Sequence, residues 1–180
     1  QIQVLFEMAM AIGDSLELRP MLRKSLSTIL KKLNCSAGGI HLFQEEKFTF
    51  QNGSIYSIPR DASKNNTYQL GLEQLRGLNE AAHAADLASR LPLSGDDGRG
   101  NYFYLLELPD LGAVILVKNG QALDPFIVKS LDPLMPKLAD ACTACLQNEE
   151  LRSMSARNQA ILNGIPDMLF FLDGTGRILD

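Results

Sequence analysis

Few side chains in this chain of 180 residues are of the types that do chemistry near neutral pH. Their spacing narrows what they could do. The three cysteines are Cys35, Cys142 and Cys145. Cys142-Thr-Ala-Cys145 is a C-x-x-C, a spacing used in thiol redox exchange and in half of a zinc site. A tetrahedral site needs more ligands than this pair supplies, and no second pair or neighbouring histidine completes one. On a continuing helix the two thiols share a face with Leu138 and Leu146, which reads as small apolar packing. The only histidines are His41 and His83. His83 lies in the plain helical stretch Ala81-Ala-His-Ala-Ala85 and His41 in a strand pattern, so neither is expected to ligate haem. Covalent bilin attachment at Cys35 is disfavoured because that cysteine begins a core strand. No Ser/His/Asp constellation, glycine-rich phosphate loop or paired-carboxylate motif is visible.

The bulk properties exclude further classes. A net charge of -4 provides no global field toward nucleic acid or an anionic membrane. The basic pairs Arg23-Lys24 and Lys31-Lys32 read as solvated helix faces. An odd cysteine count argues against a disulfide framework and for a reducing compartment. No apolar run approaches the roughly 18 residues of a membrane span, and no secretory signal is visible. A cytoplasmic location is expected. The chain opens on Gln1 and stops at Asp180 as a strand pattern begins, so both ends read as cut.

Periodicity supplies the elements that would position these groups. Val4, Leu5, Met8, Ala11 and Ile12 recur at helical spacing, and Gly13-Asp14 ends that helix. Pro20 suits the first turn of a second helix lined by Leu22, Leu26, Ile29, Leu30 and Leu33, with Asn34 as its stop. Cys35 to Phe43 reads as a strand, Gln44–Lys47 as a hairpin turn and Phe48–Phe50 as the return strand. Residues 51–67 read as a long surface loop, Tyr68–Leu91 as a helix carrying Leu72, Leu75, Leu78, Ala82, Ala85 and Leu87, and Gly95–Gly98 as a turn. Two strong strands, Tyr102–Leu108 and Ala113–Val117, are followed by one long helical pattern from Asp124 to about Asn163, with Pro125, Pro133 and Pro136 crowded at its start. Gly164-Ile-Pro166 breaks it. A fresh strand, Met168–Leu172, and the turn Asp173–Gly176 close the chain. Strand pairs joined by short turns, with helices between them, predict an α+β fold with an antiparallel sheet.

This order resembles the GAF family over residues 2 to 150. The resemblance is carried by Ile29-Leu-Lys-Lys-Leu-Asn34, Ser36-Ala-Gly-Gly-Ile-His-Leu-Phe43, Leu111-Gly-Ala-Val-Ile-Leu-Val-Lys118 and the exit helix from Asp124 to Leu138. It implies a central antiparallel sheet with helices on its faces and a long C-terminal connecting helix. The segment Ile161–Asp180 resembles the opening of a PAS domain, with Asp173 and Gly176 in the Asp-x-x-Gly turn. A GAF followed by a PAS is the layout of bacterial sensor histidine kinases and cyclic-di-GMP regulators. The resemblance further implies a small-ligand pocket bounded by the 51–67 loop, the 68–91 helix and the middle strands. His41, Tyr56, Tyr68, Tyr102 and Tyr104 are its candidate lining, set against the plainer reading that they are packing residues. Cyclic-nucleotide-binding members carry an Asn-Lys…Phe…Asp-Glu pattern. Here Lys118-Asn119 is reversed and Asp132 is followed by Pro133, so that ligand is not expected and the ligand stays unknown. Family members that reduce free methionine sulfoxide use loop cysteines, which these cysteines do not match.

The connecting helix is the remaining feature. Leu151, Met154, Asn158, Ile161 and Ile165 follow a 3-4-3-4 spacing, the seam of a short coiled coil, with Asn158 at a position that favours a two-stranded register. The expected organisation is a GAF-like sensory domain over 1–146, a helical linker over 147–163 and the start of a PAS domain over 164–180. The expected function is a non-catalytic regulatory module in two-component or related signal transduction: a parallel homodimer that binds a small molecule and passes the signal along the stalk, contacting neither nucleic acid nor membrane. The alternative is a ligand-free dimerisation scaffold.

Overall fold

The computed structural model describes residues 2–44, 49–50, 53–79, 90–164, 171–172 and 178–179. The chain begins with α1 (Ile2–Ala11) and α2 (Leu18–Leu33), then β1 (Ala37–Gln44), β2 (Thr49–Phe50) and β3 (Tyr56–Ile58). A 3-10 turn at Ala62–Lys64 leads into α3 (Asn66–Asn79), β4 (Leu93–Asp96), β5 (Asn101–Leu108) and β6 (Gly112–Asn119). Helices α4 (Pro125–Ser130) and α5 (Leu134–Gly164) follow, and β7 (Phe171–Leu172) pairs with β8 (Ile178–Leu179). The main sheet is antiparallel in the order β2-β1-β6-β5-β4, with β3 also pairing β1. The α+β expectation, antiparallel sheet and long C-terminal helix are what the structure contains.

β6 sits at the centre and is apolar on both sides, as a strand covered on both faces must be. Its Ala113, Ile115 and Val117 join Phe103, Leu105, Tyr68, Leu72 and Leu75 beneath α3. Its Val114 and Leu116 join Tyr104, Leu106, Leu26, Leu30 and Leu138 beneath α1, α2, α4 and α5. Each fully buried Leu or Ile contributes about 1.5–3 kcal/mol. Helix α2 ends because Asn34 adopts the left-handed conformation (φ 54°) and turns its N–H back to the Leu30 and Lys31 carbonyls. Lys118 then donates to the Leu33 and Asn34 carbonyls (2.8 and 3.2 Å), tying β6 to that helix end. The Asn119 side-chain carbonyl accepts from Ser36.

Three expectations are corrected. The long helical pattern from Asp124 is two helices. Asp124 caps α4 by accepting from the Phe126 N–H (2.8 Å), that helix ends at Ser130, and α5 opens at Leu134, just past Pro133, a residue that disfavours helical backbone at the position before it. The 51–67 segment is not all loop, since Tyr56–Ile58 pairs with Gly38–Ile40. Three residues are too few to show alternation. Gly95–Gly98 is not simply a turn, because β4 runs through Gly95 to Asp96. A Cβ on Gly95 would meet the Phe103 ring at 2.5 Å, so glycine marks a close approach within a strand. The Glu45–Phe48 part of the first hairpin, the Ala82, Ala85 and Leu87 part of the expected third helix, His83, Ile165, Met168–Phe170 and the Asp173–Gly176 turn lie outside the described residues.

Candidate functional sites

The five candidate pocket residues do not line one cavity. His41 and Tyr68 meet on the α3 face, Tyr102 and Tyr104 lie on the opposite face, and Tyr56 lies beside α2.

On the α3 face the Nε2 of His41 lies 2.8 Å from the Tyr68 hydroxyl. The His41 residue is 1% exposed, and its Nδ1 has no hydrogen-bond partner among the described residues. Burial, with the Arg76 charge acting in the same direction, lowers the His41 pKa to about 4. Burial keeps Tyr68 protonated far above the ordinary tyrosine range, against a smaller opposite effect of a hydrogen bond with Ser54. The ring of Tyr68 fills the space over β1: a Cβ on Gly39 would sit 1.9 Å from its hydroxyl. In this arrangement His41 is a buried neutral imidazole packed against a tyrosine.

On the other face Tyr102 and Tyr104, alternate residues of β5, floor a cleft of about 760 Å³ between the β4 edge and α4. Leu93, Gly95, Leu123 and Val128 give it an apolar lining, and Ser94, Asp96, Lys129 and Asp132 stand around it. The Tyr104 hydroxyl accepts from the Leu123 N–H (2.7 Å), which fixes the loop entering α4. Nothing in the strand spacing alone identifies α4 as the opposite wall.

The thiols are packing groups. Cys142 and Cys145 are fully buried on the inner face of α5, as their spacing with Leu138 suggests. Burial pushes the Cys142 thiol up to about 12 and the half-buried Cys35 to about 11, and raises Cys145 as well. The thiolate is the reactive form, so Cys35 and Cys142 in the native protein are expected to react with a disulfide reagent at pH 8 roughly a hundredfold more slowly than in denaturant, and Cys145 more slowly as well. A single fast thiol would overturn that reading. Among the described residues, no three His, Cys, Asp or Glu side chains cluster as a metal set, and no helix is long and apolar enough to cross a membrane.

Helix α5 has two halves of different character. Its first half is docked: Lys137 donates to the Ala9 carbonyl, Cys145 to Ser15 (3.4 Å) and Asn148 to Leu16 (3.2 Å). From Leu151 to Asn163 every residue is exposed. Leu151, Met154 and Ile161 there are 66%, 56% and 55% exposed, so nothing among the described residues covers them. Asn158 lies on the same spacing.

No family model and no curated protein matches the chain. Among solved structures, 11 chains match. One is the GAF domain from an Acinetobacter phosphoenolpyruvate-protein phosphotransferase, at 15% identity and a TM-score of 0.49, covering 79% of this chain and 92% of that one. No family assignment follows.

Proposed function

We propose that this chain is a GAF-type regulatory module that pairs in parallel with a second copy through the outer half of α5. The observation that carries this reading is the row Leu151, Met154, Asn158 and Ile161, apolar but for one asparagine and exposed along a helix extending about 20 Å past its last docking contact. A helix with that seam gains by burying it against its equivalent, and a lone Asn favours an in-register pair. The β4–α4 cleft is the candidate input. Pro125, Val128, Lys129 and Asp132 line it, and Asp132 lies just before α5 opens at Leu134. A small molecule that binds two positions of α4 unequally would bias the helix that follows. The resemblance of residues 161–180 to a PAS opening supports a cytoplasmic signalling parent, with an output domain such as a histidine kinase. Tyr68 filling the space over Gly39 favours the ligand-free scaffold for the α3 face alone.

Asn158→Cys tests the pairing directly, because parallel helices in register bring the two copies of position 158 side by side. The oxidised variant is expected to run as a covalent dimer. Leu151→Glu combined with Ile161→Glu is expected to give a monomer by native mass spectrometry. A wild-type chain that is monomeric, with an Asn158→Cys variant that never crosslinks, would sink the stalk reading.

A further inference from the structure

We propose that the groove between α2 and the segment after β3 binds a soluble organic phosphate carrying at least two negative charges and a flat ring. This site is separate from the β4–α4 cleft and does not depend on self-association.

The chain is acidic overall, at -4, yet this groove of about 760 Å³ is lined by Arg19, Arg23, Lys24 and Arg60 with no carboxylate among its lining residues. The remaining lining is Pro20, Ser27 and Tyr56. Read along the sequence, Arg23-Lys24 is a solvated helix face. Both residues are exposed on α2, and pairing of β3 with β1 brings Arg60 across to that face. Lys24 is paired with Asp14, whereas Arg19, Arg23 and Arg60 have no ion-pair partner among the described residues. Nearby acids are engaged elsewhere, Asp61 with Lys64 (3.7 Å) and Glu17 with Arg152 (3.9 Å).

These cations do not serve the helix that carries them. Arg19 lies in the first turn of α2, where the macrodipole disfavours positive charge; that turn contains no acidic residue, and Glu17 just before it is paired with Arg152. A concentration of unpaired guanidinium groups in a concave site is suited to phosphoryl oxygens, which each fork can grip through two N–H groups. The half-buried Tyr56 ring and Pro20 supply an apolar surface on which a flat ring can lie. The volume is in the range of small-ligand sites, roughly 300–1,000 Å³. Its concavity and the acidic remainder of the chain favour a soluble compound over a membrane surface or a nucleic-acid strand.

Calorimetric titration of the whole chain with ADP and with inorganic pyrophosphate, both without metal, tests the site. Saturable binding of one ADP per chain is expected. Arg19→Gln, Arg23→Gln and Arg60→Gln should each weaken ADP binding roughly tenfold or more, while Lys64→Gln, outside the groove, changes it less than about twofold. Tyr56→Ala should weaken ADP more than pyrophosphate. These arginines are exposed, so unchanged melting curves are expected to show that each variant folds. Four results would overturn the proposal: no saturable binding, an equal loss in Lys64→Gln, equal loss of both probes in Tyr56→Ala, or attachment only to phosphatidylglycerol vesicles or a single-stranded oligonucleotide.

Discussion

Gly112→Ala is expected to destabilise the fold by about 3 kcal/mol or more, with Gly77→Ala shifting stability the other way by about 0.5–1 kcal/mol. The same added methyl group meets opposite surroundings. Gly112 opens β6, paired with Leu108 of β5 on one side and Leu42 of β1 on the other. A Cβ there would lie 2.0 Å from the His41 carbonyl oxygen and 3.0 Å from the Leu42 Cα. Those atoms are backbone, held in a strand bonded on both sides, so no side-chain rotation can make room. The sheet would have to shift where β1, β5 and β6 meet, and His41 would move with it. Gly77 lies on the exposed face of α3 with nothing within 4 Å of its Cβ position, so alanine there only removes unfolded-state freedom. Denaturant unfolding of both variants reads the two signs. A Gly112→Ala protein within about 1 kcal/mol of wild type would show that the close approach at β6 is not rigid.

What could be read in advance follows from where the information lies. β5 and β6 are legible because long apolar runs bounded by Pro109-Asp110 and Lys118-Asn119-Gly120 have few alternatives. The end of α2 is legible because Asn34 is one of the few residues that tolerate the left-handed conformation. The division of the tyrosines and His41 between faces is not. Alternation places Tyr102 and Tyr104 on one side of β5, but only register relates that side to β1. Tyr104 pairs with Leu116, and Leu116 with Gly38, so Tyr104 shares a face with Gly38; His41, three residues on, is on the other. Likewise Arg60 and Arg19 are far apart in the chain, and nothing in either segment announces their meeting. Pro133 is a legible helix boundary, but the apolar period on either side of it masks the break.

Lowering the pH from 7 to 4.5 is expected to cost wild-type protein about 2–3 kcal/mol more than it costs His41→Gln. The unfolded chain binds a proton at His41 near the ordinary value of 6.5, whereas in the folded protein burial, aided by Arg76, holds it neutral down to about 4. Between those values the unfolded state carries more protons, so stability is full above pH 6.5 and falls by about 1.4 kcal/mol per pH unit as the solution is acidified. Below about pH 4 the folded histidine also titrates and its contribution levels off. Other groups act elsewhere or in the opposite sense. Asp97 accepts hydrogen bonds from Asn101 and Thr67 that hold its carboxyl well below the usual range, so its contribution is lost only at lower pH. Burial raises Glu107, which favours the folded state as pH falls and partly offsets the loss in both proteins. The difference between wild type and His41→Gln therefore isolates the imidazole. Its geometry explains the size: protonation would place a charge beside an unpartnered Nδ1 in a site closed by the Tyr68 ring, with the Arg76 charge adding to the cost. Equal pH slopes in the two proteins would mean that water or an anion reaches His41 in the folded state, and that the space under α3 is open to a ligand after all.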